Sequence, residues 1–296
     1  LRDKLSTSVR AHAIANQAFF LAWLGLAKEG YALANESLSS LRSSHDSIAL
    51  YFAYHGLTLP AYYLERLDEE RDANDQMRHI ARLIGDQWLL AFAEYLSSIT
   101  MMRSADYKSA ENLAISSLNH SLVLDDLTLQ VLSDNALGHV SQQLANYEKA
   151  RKHFLRSLQK ARVLGFQWAI GNDIKYLGQL ALLRNDLPEA EDYFLQSLSI
   201  ANELGLERDI ANHLLEFAKL RAAQDRVPEA VSILGLLLTL PTINQARLGE
   251  GQIKENAQKL LTKFGEAIAP DDFRQLLNRG RRLDLSTFLS SSHEPQ

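Results

Sequence analysis

The segment DLPEAEDYFLQSL, residues 186–198, decides the fold because the chain repeats it. Related segments are NYEKARKHFLRSL from Asn146, DYKSAENLAISSL from Asp106 and, more weakly, RVPEAVSILGLLL from Arg226. The start positions 106, 146, 186 and 226 are 40 residues apart. A fixed period of this length is typical of proteins that stack one supersecondary unit on the next.

Each repeat predicts a pair of helices. In one copy Ile174, Leu177 and Ala181 follow the spacing of one helix face, and Ala190 and Phe194 begin the face of a second helix. Apolar residues three and four positions apart indicate helices rather than strands. The pairs are therefore expected to be antiparallel helix hairpins.

The boundaries of the helices carry the residues that such boundaries favour. Asp186 is expected to accept the free amides of the second helix, and Pro188 falls near its first turn, where a missing amide is harmless. Gly165 and Gly205 are expected to end second helices in two successive copies, with Asp125 in the equivalent place one copy earlier.

Small residues recur at fixed places in the pairs, with large apolar residues beside them. A helix crossing needs small residues at its closest point so that larger neighbours can interlock. The small residues are Gly138, Gly178 and Ala218 on the first helices, and Ala150, Ala190 and Ala230 on the second. The large neighbours include Leu137, Leu177 and Phe217, and Phe154, Phe194 and Leu234.

The predicted fold is all-α: a right-handed superhelix, or α-solenoid, of about six helix-turn-helix pairs with C-terminal capping helices. The pairs are expected near residues 8–43, 46–84, 86–125, 128–165, 168–205 and 208–240. They form a repeat region over 1–240, which is followed by capping helices over 241–290 and a disordered tail over 291–296.

The repeat resembles the tetratricopeptide repeat. The resemblance lies in Leu-Gly on the first helix, a polar turn, and alanine, aromatic and leucine at fixed offsets on the second. It is in register over residues 88–240, and Gly30-Tyr31 with Ala34 and Leu38 matches as a first copy. The segment 47–85 keeps the helical pair but lacks the alanine, and the period exceeds the usual length of about 34 residues.

The last fifty or so residues are similar to the closing segment of the tetratricopeptide arms of bacterial STAND-type ATPases, including LuxR-type relatives of the maltose activator. The residues that carry this resemblance are Pro270, Phe273, Gly280, Arg281, Leu283 and Leu285. It implies that the chain is the C-terminal sensor arm of such a regulator. The upstream nucleotide-binding and output domains would then be missing from the sequence, which begins at Leu1.

Composition narrows the class of protein. With 296 residues, 46% of them hydrophobic, the chain can bury a large core. A net charge of −5 argues against direct binding of nucleic acid or of an anionic membrane surface. The absence of cysteine excludes disulfides and thiolate chemistry and fits a cytoplasmic protein, and the apolar runs are too short to span a membrane.

No group of residues predicts catalysis, a metal site or a cofactor. The 9 histidines are scattered, and no glycine-rich phosphate-binding loop occurs. The acidic runs 68–70 and 271–272 are interpreted as solvated charges beside turns. Arg279, Arg281 and Arg282 are interpreted as a salt-bridged end cap, with a small anion patch as the alternative.

A stack of helix pairs presents a concave groove lined by first helices, and the tetratricopeptide resemblance implies that this groove binds peptides, protein segments or small effectors. Asparagine and glutamine both donate and accept, so they suit a peptide backbone, and the cations suit a carboxylate. The ligand-binding candidates are Phe92, Tyr95, Arg103, Asn135, His139, Gln142, Asn172, Lys175, Gln179, Asn212 and Lys219.

The predicted function is non-enzymatic binding. One hypothesis is a sensor arm of a larger signal-transduction or transcription-regulating protein, in which a ligand in the groove biases a nucleotide-dependent switch. A second is a peptide-pheromone receptor with a helix-turn-helix head, and a third is a general protein-interaction adaptor. The 40-residue period and the tail favour the first hypothesis.

Overall fold

The apolar spacing of the sequence produces helices throughout the part of the chain that can be described. The computed structural model describes residues 7–41, 46–244 and 251–292, and within these ranges all regular structure is helical. This confirms the predicted all-α fold of consecutive helix pairs. The helices are α1 Thr7–Trp23, α2 Ala27–Leu41, α3 Ser47–Tyr63, α4 Leu67–Ile84, α5 Gln87–Arg103, α6 Tyr107–Val123, α7 Leu127–Gln143, α8 Tyr147–Leu164, α9 Gln167–Leu183, α10 Leu187–Glu203, α11 Glu207–Ala223, α12 Val227–Leu237, α13 Pro241–Asn244, α14 Gly251–Gly265, α15 Pro270–Arg281 and α16 Leu285–Ser292.

We call the odd-numbered helices α1 to α11 the first helices and the even-numbered helices α2 to α12 the second helices. The last helix includes residues 291 and 292, so these two residues of the predicted disordered tail are helical. Residues 293–296 of that tail lie outside the described residues.

Short connections hold the helix pairs in register. The connection between α1 and α2 and every connection from α3 to α12 contain a residue in the left-handed region of backbone space, which turns the chain sharply after a helix. Gly165 and Gly205 have φ of 66° and 65°, and Asp125 has φ of 52°, as predicted. Within pairs the left-handed residues also recur every 40 positions, at Gly25, Glu65, Ala105, Ala145, Asn185 and Asp225. The sequence did not reveal this second series, because most of its members are not glycine.

Aspartate begins several helices. The Asp186 side chain accepts a hydrogen bond from the backbone N–H of Glu189 at 3.2 Å, which confirms its predicted capping role. The same arrangement starts α3, α5, α6 and α7, at Asp46, Asp86, Asp106 and Asp126. Each cap satisfies backbone donors that have no partner inside the helix.

Glycines on the first helices receive a ring from the second helix of the same pair. A Cβ atom on Gly138 would lie 2.5 Å from Cε1 of Phe154, and a Cβ on Gly178 would lie 2.7 Å from Cε1 of Phe194. Both phenylalanines are fully buried. The small residue therefore accommodates one large ring rather than a second small residue.

The chain divides into two compact units, Leu1–Lys160 and Ala161–Gln296, with the boundary inside α8. In the first unit the core is made of several apolar clusters rich in alanine, around Ala34, Ala49, Tyr51, Ala114 and Leu137. In the second unit one cluster runs from α9 to α16. Its buried members include Ala181, Phe194, Leu214, Leu234, Phe264 and Phe288.

The C-terminal helices cover the end of the second unit. Helix α15 packs on α12 so closely that a Cβ on Gly280 would lie 1.9 Å from the carbonyl oxygen of Ser232. The facing glycine, Gly235, has the same restriction against the carbonyl oxygen of Leu277, at 2.5 Å. Two glycines thus let the helix backbones touch, and α15 shields the apolar face of α12 from water.

Candidate functional site

The predicted ligand-binding residues all lie on first helices, distributed over both units. Asn135 and Lys175 are buried, and the other nine are partly exposed. In the first unit they are Phe92, Tyr95 and Arg103 on α5 and Asn135, His139 and Gln142 on α7. In the second unit they are Asn172, Lys175 and Gln179 on α9 and Asn212 and Lys219 on α11.

Phe92 lies in a chain of aromatic contacts that joins α3 to α5. Its ring stacks on Trp88 with centroids 5.5 Å apart, and it meets the rings of His55 at 5.3 Å and Tyr95 at 6.2 Å. Burial, and then the charge of His12, lower the pKa of His55 to about 4. The imidazole is therefore neutral at physiological pH and behaves as one more flat ring in this apolar surface.

Arg103 is held by partners inside the first unit. Its guanidinium bonds the carboxylate of Glu70 and stacks over the ring of Tyr62, 4.2 Å from the centroid. Glu70 is 3% exposed and also accepts a hydrogen bond from the Thr100 hydroxyl at 2.6 Å. The interpretation of run 68–70 as solvated charges is therefore wrong for Glu70. Burial raises the pKa of Glu70, although Thr100 and Arg103 oppose the shift.

The α7 candidates lie beside a buried acid. Asp134 is 1% exposed and pairs with His153 Nδ1 at 3.0 Å and Lys160 Nζ at 2.7 Å. Next to it, Asn135 is 8% exposed, and His139 meets the ring of Phe154 edge-on with centroids 5.3 Å apart. Asn135, His139 and Gln142 all interact with other residues of the protein.

In the second unit Lys175 is a core residue rather than a surface cation. It is 7% exposed, and its Nζ lies 4.0 Å from the centre of the Tyr176 ring. Burial pushes the pKa of Lys175 down, but Tyr176 and the carboxylates of Asp209 and Glu216 outweigh burial and raise it. The lysine thus stays charged, and acids of α11 compensate its charge within the unit.

The remaining candidates of the second unit differ in whether they are already bonded. Asn212 donates to the carbonyl oxygen of Arg208 at 3.2 Å, and Lys219 pairs with Glu216 at 2.7 Å. Gln179 also interacts within the protein. Asn172, by contrast, has no hydrogen-bond partner among the described residues.

Asn172 lines a narrow pocket between α9, α10 and α11. The pocket has a volume of about 10 Å³, which is room for one water-sized group. Its polar lining includes Asn172, Asp209 and His213, and its apolar lining includes Trp168 and Ile200. Gly171 also lines the pocket, and the absence of a side chain there leaves space, because a Cβ atom would lie 3.1 Å from Cγ2 of Ile200.

His213 contributes an unsatisfied atom to this pocket. It is 3% exposed, and its Nδ1 forms no hydrogen bond of good geometry within the described ranges, although an interaction with the backbone of Asp209 opposes the lowering of its pKa. Burial, and then the charge of Lys175, lower the pKa of His213 to about 3, so the ring is neutral at physiological pH. Burial also raises the pKa of Asp209, with Lys175, Arg208 and the Trp168 indole acting against it.

His213, Asp209 and Trp168 were not predicted as site residues from the sequence. One signal was available for His213: it lies among Ile210, Leu214 and Phe217 on the apolar face of α11, where a polar side chain must find a partner. Asp209 and Trp168 lie near helix starts, where such residues are common, and their sequence positions carry no comparable signal.

Two other kinds of functional feature are a metal site and a membrane-spanning helix. Among the described residues, no cluster of histidine and acidic side chains has the make-up of a metal site. Likewise, in the described ranges no helix combines the length and the apolarity that crossing a membrane requires.

Comparison with known sequences supports the repeat over part of the chain. Residues 127–203, which cover α7 to α10, match the family model of the tetratricopeptide repeat. No curated protein sequence matches the chain significantly.

Comparison with solved structures finds the same kind of fold. The chain resembles BtubC (BKLC) from P. vanneervenii with a TM-score of 0.58 and 16% identity, over 74% of this chain and 92% of that one. It resembles the apo form of RapI with a TM-score of 0.58 and 13% identity, over 86% and 99%. It also resembles a Rap protein complexed with Competence and Sporulation Factor, with a TM-score of 0.58 and 16% identity, over 97% and 100%. At these identities the likeness shows a shared fold.

Proposed function

We propose that the chain is a non-enzymatic scaffold that binds a peptide or a protein segment on its first helices. The observation that carries this proposal is a pocket of the second unit in which the buried Nδ1 of His213 lies beside the partly exposed amide of Asn172. Both residues line it: the Asn172 amide forms no hydrogen bond with a described residue, and Nδ1 of His213 forms none of good geometry there. Buried polar groups in proteins are nearly always bonded, so the buried Nδ1 of His213 favours a polar ligand group in this pocket.

The chemistry of the pocket fits one small polar group of a peptide. The Asn172 amide can both donate and accept, and the neutral ring of His213 offers one more hydrogen bond. The carboxylate of Asp209 accepts, while Ile200 and Leu204 form apolar walls. A hydroxyl or an amide N–H is small enough to enter and can satisfy these groups together.

The comparisons are consistent with a peptide ligand. The repeat match covers the helices α9 and α10 that form two sides of the pocket. One of the similar structures is a Rap protein in complex with Competence and Sporulation Factor, and it matches nearly the whole chain. This likeness favours a second candidate, a peptide receptor of the pheromone type, over a general protein-interaction adaptor.

We infer further that the scaffold serves a larger regulatory protein in the cytoplasm. The C-terminal segment from Pro270 to Leu285 resembles the end of STAND-type sensor arms, whose nucleotide-binding and output domains lie upstream. In that setting a ligand that binds one arrangement of the repeats better than another shifts the balance of the attached switch. Direct contact with nucleic acid or membrane is not part of this role.

Selection of peptides from a random library displayed on phage tests the proposal. Selected peptides are expected to bind the chain, and Asn172→Ala is expected to weaken binding about fivefold, since one hydrogen bond contributes ~1 kcal/mol. Fluorescence anisotropy with the labelled peptides measures the change.

Asn202→Ala provides the matched control. Asn202 is an exposed asparagine of α10 that does not line the pocket, so this variant should bind as the unmodified chain does. Equal affinities of the Asn172 and Asn202 variants would contradict binding at the pocket.

A further inference from the structure

An open pocket lies at the end of α15, in the C-terminal cap and away from the α9–α11 pocket. Its volume is about 470 Å³. The residues that line it are Gln275, Asn278, Arg279, Arg282 and Leu283. Arg279 and Arg282 are three positions apart, so their side chains project from neighbouring points at the end of the helix. The lining therefore combines two guanidinium groups, two carboxamides and one apolar side chain.

The arginines of this pocket are not neutralised by the described part of the chain. Arg279, Arg281 and Arg282 are exposed, and none forms an ion pair or a cation–π contact with another described residue. The interpretation of these arginines as a salt-bridged end cap is therefore wrong for the described residues. By contrast, Arg274 on the same helix pairs with Asp271 at 2.5 Å.

The nearest acid along the chain is already engaged. Asp284 accepts hydrogen bonds from the Ser286 hydroxyl at 2.5 Å and from the backbone and hydroxyl of Thr287 at 2.8 and 2.7 Å. These bonds lower the pKa of Asp284 to about 2. Asp284 thus caps α16 as a carboxylate and forms no ion pair with these arginines.

The backbone that carries the arginines is fixed by packing. Gly280 lies between Arg279 and Arg281 and touches the backbone of Ser232 on α12, where no side chain would fit. The arginines are therefore anchored to a rigid helix crossing rather than to a loop. Fixed backbone positions place two planar guanidinium groups near each other, and such groups suit bidentate recognition of an oxyanion.

We propose that this pocket binds a carboxylate-bearing segment of a partner protein. Arg279 and Arg282 hold a glutamate or aspartate side chain, Gln275 and Asn278 bond the adjoining peptide backbone, and Leu283 contacts an apolar neighbour. The charge distribution favours a short acidic segment over a long polyanion. Asp271 and Asp272 are exposed at the other end of α15, and the chain carries a net charge of −5, so nucleic acid or an anionic membrane would meet repulsion beyond the pocket.

Fluorescence anisotropy with a labelled glutamate-rich peptide and the whole 296-residue chain tests the proposal. Binding is expected at low ionic strength and should weaken as salt is added. The double variant Arg279→Ala/Arg282→Ala should lower affinity at least about tenfold, since hydrogen bonds to charged groups are the stronger class. Arg274→Ala removes an exposed but ion-paired arginine of α15 and should leave affinity unchanged.

Circular dichroism checks that the variants are folded. We expect them to be, because Arg274, Arg279 and Arg282 are all exposed. Equal binding by the double variant and the unmodified chain would overturn the proposal. So would a lack of binding at low salt, or tighter binding of a labelled single-stranded oligonucleotide than of the peptide. Inorganic phosphate serves as a competitor. We expect it to displace the peptide no more than sodium chloride does at the same ionic strength.

Discussion

The ring of Phe194 lies directly over Gly178, where a Cβ atom would come within 2.7 Å of it. The pair Gly138 and Phe154 repeats this contact 40 residues earlier. In the next copy the same two positions hold Ala218 and Leu234, so that a larger residue on the first helix accompanies a smaller one on the second. In these three copies a smaller residue at one position therefore accompanies a larger residue at the other, as close packing favours.

Gly178→Ala is expected to destabilise the fold by ~1–3 kcal/mol, because the added methyl group overlaps the Phe194 ring. The double variant Gly178→Ala/Phe194→Leu reproduces the Ala–Leu pair of the next repeat and should recover most of the loss. Urea unfolding followed by circular dichroism measures both effects.

Gly265→Ala is the control for this prediction. A Cβ there would meet Phe273 at 3.7 Å, an ordinary contact, so stability should change little or rise. Helix propensity alone would make Gly178→Ala more stable than the unmodified chain. Such a gain in stability would contradict the close contact between Gly178 and the Phe194 ring.

The buried acid Asp134 is expected to make the fold sensitive to acid. Burial alone would raise the pKa of Asp134, but hydrogen bonds from His153 and Lys160 outweigh it and hold the pKa below its usual 3.8. As pH falls, the unfolded chain takes up this proton before the folded one does. The stabilisation is therefore complete above the unfolded pKa and is lost as pH falls through the folded pKa.

Asp134→Asn should accordingly cost ~2 kcal/mol at neutral pH and flatten the decline of stability in acid. Urea midpoints measured at several pH values give both quantities. Asp68→Asn alters an aspartate that is 99% exposed and should have little effect. An acid dependence in Asp134→Asn as steep as that of the unmodified chain would show that Asp134 does not carry it.

His213 is expected to destabilise the fold at mildly acidic pH. Burial and the charge of Lys175 lower its pKa from 6.5 to about 3, so the unfolded chain is protonated first as pH falls below 6.5. Stability from this group is therefore lost as pH decreases through that window. His213→Gln should reduce the loss of stability between pH ~7.5 and ~5.5.

Nuclear magnetic resonance of the histidine rings checks the assignment of the pKa directly. The His213 signals should stay constant over pH ~5–8, while an exposed imidazole titrates near its usual value. Titration of His213 near 6.5 would mean that its ring is accessible to water.

The repeat period made the helix pairs predictable from sequence. Gly178 and Phe194 recur in phase with Gly138 and Phe154, and a small residue that recurs together with a ring indicates a repeated helix crossing. Asp186 was predictable for a similar reason, because an aspartate just ahead of a helical pattern satisfies free amides. Both inferences depend on local spacing, which the sequence displays.

Contacts between distant parts of the chain were less accessible. Glu70 stands in a run of three acids that looks solvated, and its burial depends on Thr100 and Arg103, 30 and 33 residues away. Lys175 occupies a first-helix position that is buried, and acids of α11, more than 30 residues away, favour its charged form. The sequence shows which residues share a helix face. How deeply that face is buried depends on the helix that packs against it.

The indole N–H resonance of Trp168 gives the most direct test of binding at the pocket. The chain has 3 tryptophans, and Trp168→Phe identifies the signal from the residue that lines the pocket. When a phage-selected peptide is added, we predict that the Trp168 signal shifts in proportion to the bound fraction measured by anisotropy. A peptide that binds fully while the Trp168 signal stays at its free position would contradict binding at this pocket.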